Sequence, residues 1–303
     1  MSADTTPLDR AGRVLRLRGG RRHQTLMAAL DGASYEILPF KGTEDAVLAH
    51  VPRNVALSVT TTEAKGLRPT VELASSLARH GYRTSPHIAA RLVRDRHHLA
   101  DIVAELDDAG VRGLFVVGGD AAEPAGAFAD ALSLLEALEE MGHRFDDVGI
   151  GGYPEGHGSI ARSVIDTAME QKARHATYAV TQLCFDPATT ASWAHGLVAR
   201  GVTLPVRVGI PGAVSRQKLV RISAGLGLGQ SARFLRKQQN LLWRFFLPGG
   251  YSPDRLVGRL APEIGLPGTG IAGFHVFTFN ELAKTEAWRQ RLLADFESAR
   301  RSR

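Results

Sequence analysis

The 303-residue sequence contains a single cysteine, Cys184, which excludes an intrachain disulfide. This residue lies in the apolar run "YAVTQLCFD", with no second cysteine and no adjacent base. That setting predicts a buried strand thiol rather than a nucleophile. A chain without disulfides suits a reducing compartment, so we expect a cytoplasmic protein.

Long apolar runs are also lacking. No uninterrupted apolar stretch approaches the roughly 20 residues that cross a bilayer, and the first residues, "MSADTTPLDRAGRVLRLRGGRRHQ", lack the apolar core of a signal peptide. We therefore expect no membrane association.

Several catalytic and cofactor signatures are missing. The sequence has no HExxH and no paired Cys/His spacing, so no metal site is predicted at the histidines 87, 97, 98 and 157. It also has no GxSxG, so a serine hydrolase is not predicted. The alternating glycines Gly225, Gly227 and Gly229 follow a helical pattern rather than a strand. They predict a break between helices rather than a dinucleotide fingerprint.

The formal net charge is +6 and the pI is about 9.8. Much of the excess lies at the two ends, between Arg10 and Arg22 and in "SARRSR". We expect solvated basic termini rather than a nucleic-acid surface.

Eight short β-type runs alternate with helical patterns. The runs begin at Ser34, Asn54, Tyr82, Gly113, Asp147, Thr177, Leu204 and Gly273. The intervening "TVELASSLARHG", "HHLADIVAELDDAG" and "AFADALSLLEALEEMG" have apolar residues at helical spacing and end in glycine. Eight strands with intervening helices are the composition of a (β/α)8 barrel, so the pattern predicts an α/β protein with a single (β/α)8 TIM barrel. A doubly wound open sheet remains an alternative, because periodicity cannot show closure.

The domain organisation follows from the same pattern. We expect a basic N-terminal leader at 1–33, a barrel at 34–298 and a basic tail at 299–303. Successive helices near 215–272 predict an elaboration over the mouth of the barrel.

In such a barrel the reactive groups lie at the C-terminal ends of the strands. The polar residues at those positions are Glu36, Thr60, His87, Asp120, Tyr153, Gln182 and Thr278. Glu36 alternates with Tyr35 and Ile37, so its side chain faces either the barrel interior or solvent. In an enclosed apolar mouth the pKa of Glu36 would rise, as a general acid requires.

Two further strand ends combine glycines with polar groups. Asp120 follows "VVGG", where it faces a ligand or merely ends a βα turn. The loop "GGYPEGHGS" adds stacking and hydrogen-bonding groups, although Glu155 could equally be a first-turn carboxylate that complements a helix N-terminus.

Taken in order, "YEILPF", "LSVTTTE", "SPHI", "VVGGD", "GGYPEGH", "VTQLCFD" and "GFHVFTFNEL" resemble the motifs of methylenetetrahydrofolate reductases, from Tyr35 to Leu282. The resemblance implies reduction of 5,10-methylenetetrahydrofolate by NADH or NADPH, usually through bound FAD. Its implied partners are tetrahydrofolate derivatives, polyglutamylated forms included, which the positive charge would suit. The sequence leaves a homo-oligomer open.

The resemblance also assigns roles to residues at matching positions. Glu36 matches the proton donor, Asp120 the carboxylate near flavin and pterin, and Gln182 a folate contact. Phe277 stands where the family has a tyrosine in the last strand motif and is the second predicted substrate contact. The cofactor-binding positions are Thr60, His87, Gly118, Gly119, Tyr153, His157 and Lys172.

The chain departs from the family pattern at one turn in particular. The family usually has Leu-Arg-Gly-Asp where this chain has Val117, Gly118, Gly119 and Asp120, so an arginine beside the flavin is missing. Two hypotheses follow, a flavoenzyme with weaker FAD retention and, slightly favoured, direct hydride transfer from the nicotinamide.

A non-catalytic folate-binding barrel is the rival from another class. A methyltransferase would need a metal or corrinoid site that the sequence does not supply.

Overall fold

A computed structural model describes residues 20–157, 160–184, 186–213, 253–266 and 268–301. Eight strands, all parallel, form a closed barrel in the order of the chain. Closure is direct, because the first strand pairs with both the second and the eighth. The structure therefore confirms the (β/α)8 barrel and excludes the open sheet.

The strands begin close to the predicted runs. They are β1 Ser34–Ile37, β2 Leu57–Val59, β3 Thr84–Ala89, β4 Gly113–Val117, β5 Asp147–Gly152, β6 Tyr178–Leu183, β7 Val206–Pro211 and β8 Ile271–Phe277. The α-helices of the described part are α1 Gly20–Asp31, α2 Thr43–His50, α3 Arg68–Arg79, α4 Arg96–Asp108, α5 Ala131–Glu140, α6 Arg162–Lys172, α7 Pro187–Ala199, α8 Pro253–Leu260 and α9 Leu282–Arg301.

The helices end where the sequence signals an end. Gly81, Gly110 and Gly142 follow α3, α4 and α5 with φ of 84°, 75° and 67°, a conformation that glycine adopts without strain. At the other end, the side chains of Asp95 and Asp130 cap α4 and α5, each by accepting a hydrogen bond from a backbone N–H in the first turn of its helix. These local signals set the helix boundaries independently of the barrel.

Glycine makes room inside the barrel. A Cβ on Gly149 would lie 2.4 Å from the Phe115 ring and 2.5 Å from the Tyr178 ring. The two rings therefore fill the interior at a level where β5 presents no side chain. The guanidinium carbon of Arg207 lies 4.5 Å above the Tyr178 ring, a cation–π contact.

Helices α1 and α9 pack together, and α1 also contacts β8. Leu26 and Leu30 of α1 are buried, since their spacing of four residues puts both on one helix face. Part of the stretch 1–33, expected as a leader, thus packs on the barrel. At the other end α9 continues to Arg301, into the stretch 299–303 expected as a tail.

Helix α9 is fixed to β1 through a buried polar cluster. The Tyr35 hydroxyl donates to Glu286 at 2.6 Å, and Arg289 donates to the same carboxylate at 2.9 and 3.0 Å. Tyr35 faces outward from β1, so its neighbour Glu36 faces the interior, as the alternation predicts.

The expected elaboration near 215–272 is described only in part. Pro253–Leu260 forms α8, and Ile271 already belongs to β8. The glycines at 225, 227 and 229 lie outside the described residues. Among those described, no helix is long and apolar enough to cross a membrane.

Candidate active site

Glu36 lies on β1, where two imidazoles flank its carboxylate. Its Oε2 atom is 3.6 Å from Nε2 of His275 and 4.0 Å from Nε2 of His87. In register, Glu36 pairs with Ser58 on β2 and Phe277 on β8. The side chain is 16% exposed, so the carboxylate is enclosed by the barrel without being sealed from its mouth.

The surroundings of Glu36 correct one expectation. Burial raises the pKa of Glu36, but the polar contact with His275 and the attraction of the carboxylate for either imidazole in its protonated form outweigh burial. The net pKa lies below the ordinary value. The prediction of a raised pKa assumed an apolar barrel mouth, whereas folding brings two imidazoles to the carboxylate.

Each imidazole is held by a serine from the barrel interior. Ser34 bonds Nδ1 of His275 at 2.8 Å, and Ser58 bonds Nε2 of His87 at 2.5 Å. His87 also stacks on Phe115 with ring centroids 4.5 Å apart. Burial lowers the pKa of His87 to about 4, and the neighbouring Glu36 charge opposes that shift only in part, so His87 is neutral near pH 7.

Three further residues surround Glu36. The buried Thr60 hydroxyl makes no hydrogen bond of standard geometry but is near enough to help lower the Glu36 pKa. Phe277 packs edge-on against His275, with centroids 5.2 Å apart. Thr278, a sequence candidate, is fully buried and donates to the backbone carbonyl of Glu36 at 2.6 Å. Its hydroxyl therefore fixes the β1 backbone and does not face the mouth.

A second group assembles at the ends of β4, β5 and β6. Burial raises the pKa of Tyr153, the charge of Asp120 raises it further, and a hydrogen bond with Gln182 opposes both. Gln182 thus lies beside Tyr153, and Asp120 is near enough for its charge to act on the Tyr153 hydroxyl. Asp120 and Gln182 are exposed.

The loop after β5 is fixed by its own polar groups. Tyr153 packs edge-on against His157 at 5.3 Å, and Glu155 accepts a hydrogen bond from the Asp186 backbone N–H at 2.9 Å. The latter bond ties this loop to the start of α7. Glu155 therefore joins two loops and lies before the first turn of α6, which begins at Arg162.

The remaining predicted positions differ in their settings. Gly119 has a φ of 94°, and its neighbour Gly118 accepts a backbone bond from Arg91, so both glycines shape the turn before Asp120. Lys172 ends α6 and is half-buried. Burial lowers its pKa, partly offset by the charge of Asp130. No contact in the described structure joins Lys172 to the Glu36 cluster.

Three residues of this cluster were not identified from the sequence: His275, Ser34 and Ser58. His275 alternates with Gly273 and Phe277 in "GFHVF", and Ser34 alternates with Glu36, so period-two alternation would have pointed to both. Within the described ranges, no group of three or more His, Cys, Asp or Glu side chains could hold a metal. Cys184 is buried, which raises its pKa to about 12, so it is a structural thiol.

Comparison with known proteins agrees with the motifs. A family model described as methylenetetrahydrofolate reductase matches residues 45–227, more than half of the chain, and confirms the resemblance. Among solved structures, a Burkholderia cenocepacia J2315 protein provisionally assigned as a lyase/mutase is 15% identical at a TM-score of 0.44, over 92% of this chain and 86% of that one. A 2,3-dimethylmalate lyase of the PEP mutase/isocitrate lyase superfamily is 12% identical at 0.42, over 78% and 94%. These two likenesses carry no conclusion about activity.

Proposed function

The chain belongs to the methylenetetrahydrofolate reductase family, and on that premise we propose that it reduces 5,10-methylenetetrahydrofolate to 5-methyltetrahydrofolate with NADH or NADPH as hydride donor. The observation that carries the proposal is the enclosed carboxylate of Glu36 at the barrel mouth, flanked by His275 and His87. Folate reduction needs an acid at such a position.

The acid is required by the substrate's own structure. The methylene carbon bridges two nitrogens and accepts hydride only after one C–N bond opens to give an iminium ion. Protonation of the bridge nitrogen opens that bond, and Glu36 is the proposed donor. Hydride then adds to the iminium carbon, so each turnover takes up one hydride and one proton and yields the methyl product and oxidised nicotinamide.

The lowered pKa of Glu36 bears on where this proton is stored. A carboxyl group with a lowered pKa is ionised near neutral pH, so Glu36 by itself would not hold the proton that it must donate. His275 lies 3.6 Å away and is held by Ser34, so a second proton-carrying group stands beside the carboxylate, just beyond hydrogen-bonding distance. We infer that the Glu36–His275 pair, rather than Glu36 alone, is the acid.

The second group would meet the pterin and the developing charge. Asp120 carries a carboxylate that would stabilise the cationic iminium, which is the form that accepts hydride. Gln182 can donate to and accept from a pterin edge. Phe277 offers an aromatic face beside His275, suited to a flat substrate ring.

The fit to FAD depends on cations that could hold its two phosphates. The arginine of the family pattern is Gly118 here. Among the described residues, the Arg91 guanidinium lies at this turn, and it already donates to three backbone carbonyls. Within the described part of the chain this turn therefore offers no uncommitted guanidinium to a diphosphate, and we propose direct transfer from nicotinamide to the iminium carbon, with a flavoenzyme as the alternative.

The test is oxidation of reduced nicotinamide by purified protein, with and without 5,10-methylenetetrahydrofolate. We expect consumption only with the folate. Glu36→Gln keeps the side-chain shape but removes the transferable proton, so turnover should fall about 100-fold or more while the fold is retained. Well-folded wild-type protein that shows no turnover, with or without added FAD, would favour a non-catalytic folate-binding barrel.

A further inference from the structure

The loop that carries Asp120, residues 118–130, joins β4 to α5 and is hereafter the Asp120 loop. Connections of this kind usually run about two to six residues. This one is longer, and it contains neither helix nor strand. Most of its residues are exposed, and Phe128 is its buried hydrophobic anchor. Phe128 lies at the far end of the loop, so Asp120 needs further contacts to hold it in place, because a long exposed loop is otherwise mobile.

The guanidinium of Arg91 supplies that fixation. Its Nε donates to the Ala121 carbonyl at 2.7 Å, its Nη2 to Ala122 at 2.6 Å and its Nη1 to Ala129 at 2.9 Å. The first two carbonyls follow Asp120 directly, and the third lies at the far end of the loop. One planar side chain therefore holds both ends of the Asp120 loop.

The backbone beside Arg91 continues this contact. The Arg91 N–H donates to Gly118 at 3.0 Å, and its carbonyl accepts from Ala125 at 2.8 Å. The Ala127 N–H donates to Arg94 at 3.2 Å. A Cβ on Gly126 would lie 1.6 Å from the Arg94 carbonyl oxygen, so only glycine allows the loop to approach this closely.

We propose that Arg91 is a positioning residue for Asp120, acting through the shape of its hydrogen-bonding fork rather than through its charge. The proposal rests on the function proposed above, in which Asp120 stabilises the iminium ion. All three nitrogens of the guanidinium face carbonyl oxygens, so its role is to fix backbone. Lysine cannot reproduce it, because an ammonium group is a single point donor.

The first test compares Arg91→Ala with Arg91→Lys. Both should lower kcat/KM by about tenfold or more, because small displacements of a catalytic group are costly, and both should keep the wild-type unfolding midpoint. Arg96→Ala is the matched control, since Arg96 forms an exposed ion pair with Glu140, the last residue of α5. Wild-type rates in Arg91→Lys would mean that charge suffices, and would overturn the proposal.

A double-mutant cycle separates positioning from general damage. In an Asp120→Asn background, replacing Arg91 should cause less than a twofold further loss, because the carboxylate that it positions is already gone. A full additional loss in that background would mean that Arg91 acts on the enzyme by another route, and would overturn the proposal.

A readout independent of turnover is amide hydrogen exchange in residues 121–129. Exchange should accelerate in Arg91→Ala and Arg91→Lys but not in Arg96→Ala. Gly126→Ala, which forces the loop away from Arg94, should reproduce both the faster exchange and the lower kcat/KM. Unchanged exchange, or faster exchange at wild-type turnover, would overturn the proposal. If wild-type protein shows no folate-dependent turnover at all, the proposed function fails, and the exchange data alone then test whether Arg91 fixes the Asp120 loop.

Discussion

The Nε2 atom of His275 lies 3.6 Å from the Oε2 atom of Glu36, and Ser34 holds the opposite ring nitrogen of the same imidazole. The contact joins the first strand of the barrel to the last. It exists only because the sheet closes, and it turns a lone carboxylate into a carboxylate–imidazole pair.

Replacing His275 should raise the pKa of Glu36. The contact with His275 is the largest of the influences that lower this pKa, so His275→Asn removes it while burial, which raises the pKa, remains. The measurement is a 13C NMR titration of the carboxyl group, assigned by the signal that is lost in Glu36→Gln. His80→Asn is the control, since His80 is an exposed residue directly after α3. An unchanged Glu36 pKa in His275→Asn would remove His275 from the proposed acid.

His87 should make stability depend on pH. Its pKa is about 4 in the folded protein and about 6.5 in an unfolded chain. Between these values the unfolded chain binds a proton that the folded protein does not, so the free energy of unfolding falls as pH falls. The loss from this residue between pH 7 and pH 5 is about 2 kcal/mol.

Denaturant unfolding of wild type and His87→Gln at the two pH values checks this. Titrating groups that do not face His87 contribute equally to both proteins, so the variant should show a smaller pH dependence; Glu36, which does face His87, contributes the remaining difference. Equal pH dependence in the two proteins would contradict the buried, neutral state of His87.

Gly149 should tolerate no side chain. Its added Cβ would overlap the Phe115 and Tyr178 rings, so Gly149→Ala should lower the free energy of unfolding by about 1–3 kcal/mol. Gly151→Ala on the same strand is the matched control. Its Cβ would lie 3.7–4.0 Å from the Tyr153 ring, an ordinary contact, so its change should stay below about 1 kcal/mol. Equal effects in chemical denaturation would show that interior space at Gly149 is not limiting.

Direct hydride transfer should preserve an isotope label. With deuterium on the transferred face of the nicotinamide, mass spectrometry should find one deuterium in the methyl group of the product, and the purified protein should be colourless. The reverse experiment, with unlabelled nicotinamide in D2O, should leave the methyl group unlabelled. A yellow protein whose activity follows its flavin content, with solvent-derived hydrogen in the product, would restore the flavoenzyme alternative.

The sequence predicted local structure well wherever the signal is itself local. Glycines after α3, α4 and α5 mark helix ends because positive φ is a property of one residue. The eight strand runs were found because apolar clusters and their spacing are written along the chain. The family resemblance then located Glu36, Asp120 and Gln182 at strand ends, and the fold brings those ends together at one mouth.

The sequence by itself therefore determined the repeated βα units, the family and the candidate acid. Only the tertiary structure decided the electrostatic environment of that acid and the fixation of its partner loop. His275 is 239 residues from Glu36 along the chain, and Arg91 reaches as far as Ala129. A pKa depends on charges and hydrogen bonds in space rather than in sequence, so barrel closure lowers the pKa of Glu36 where its neighbours along β1 suggested a rise.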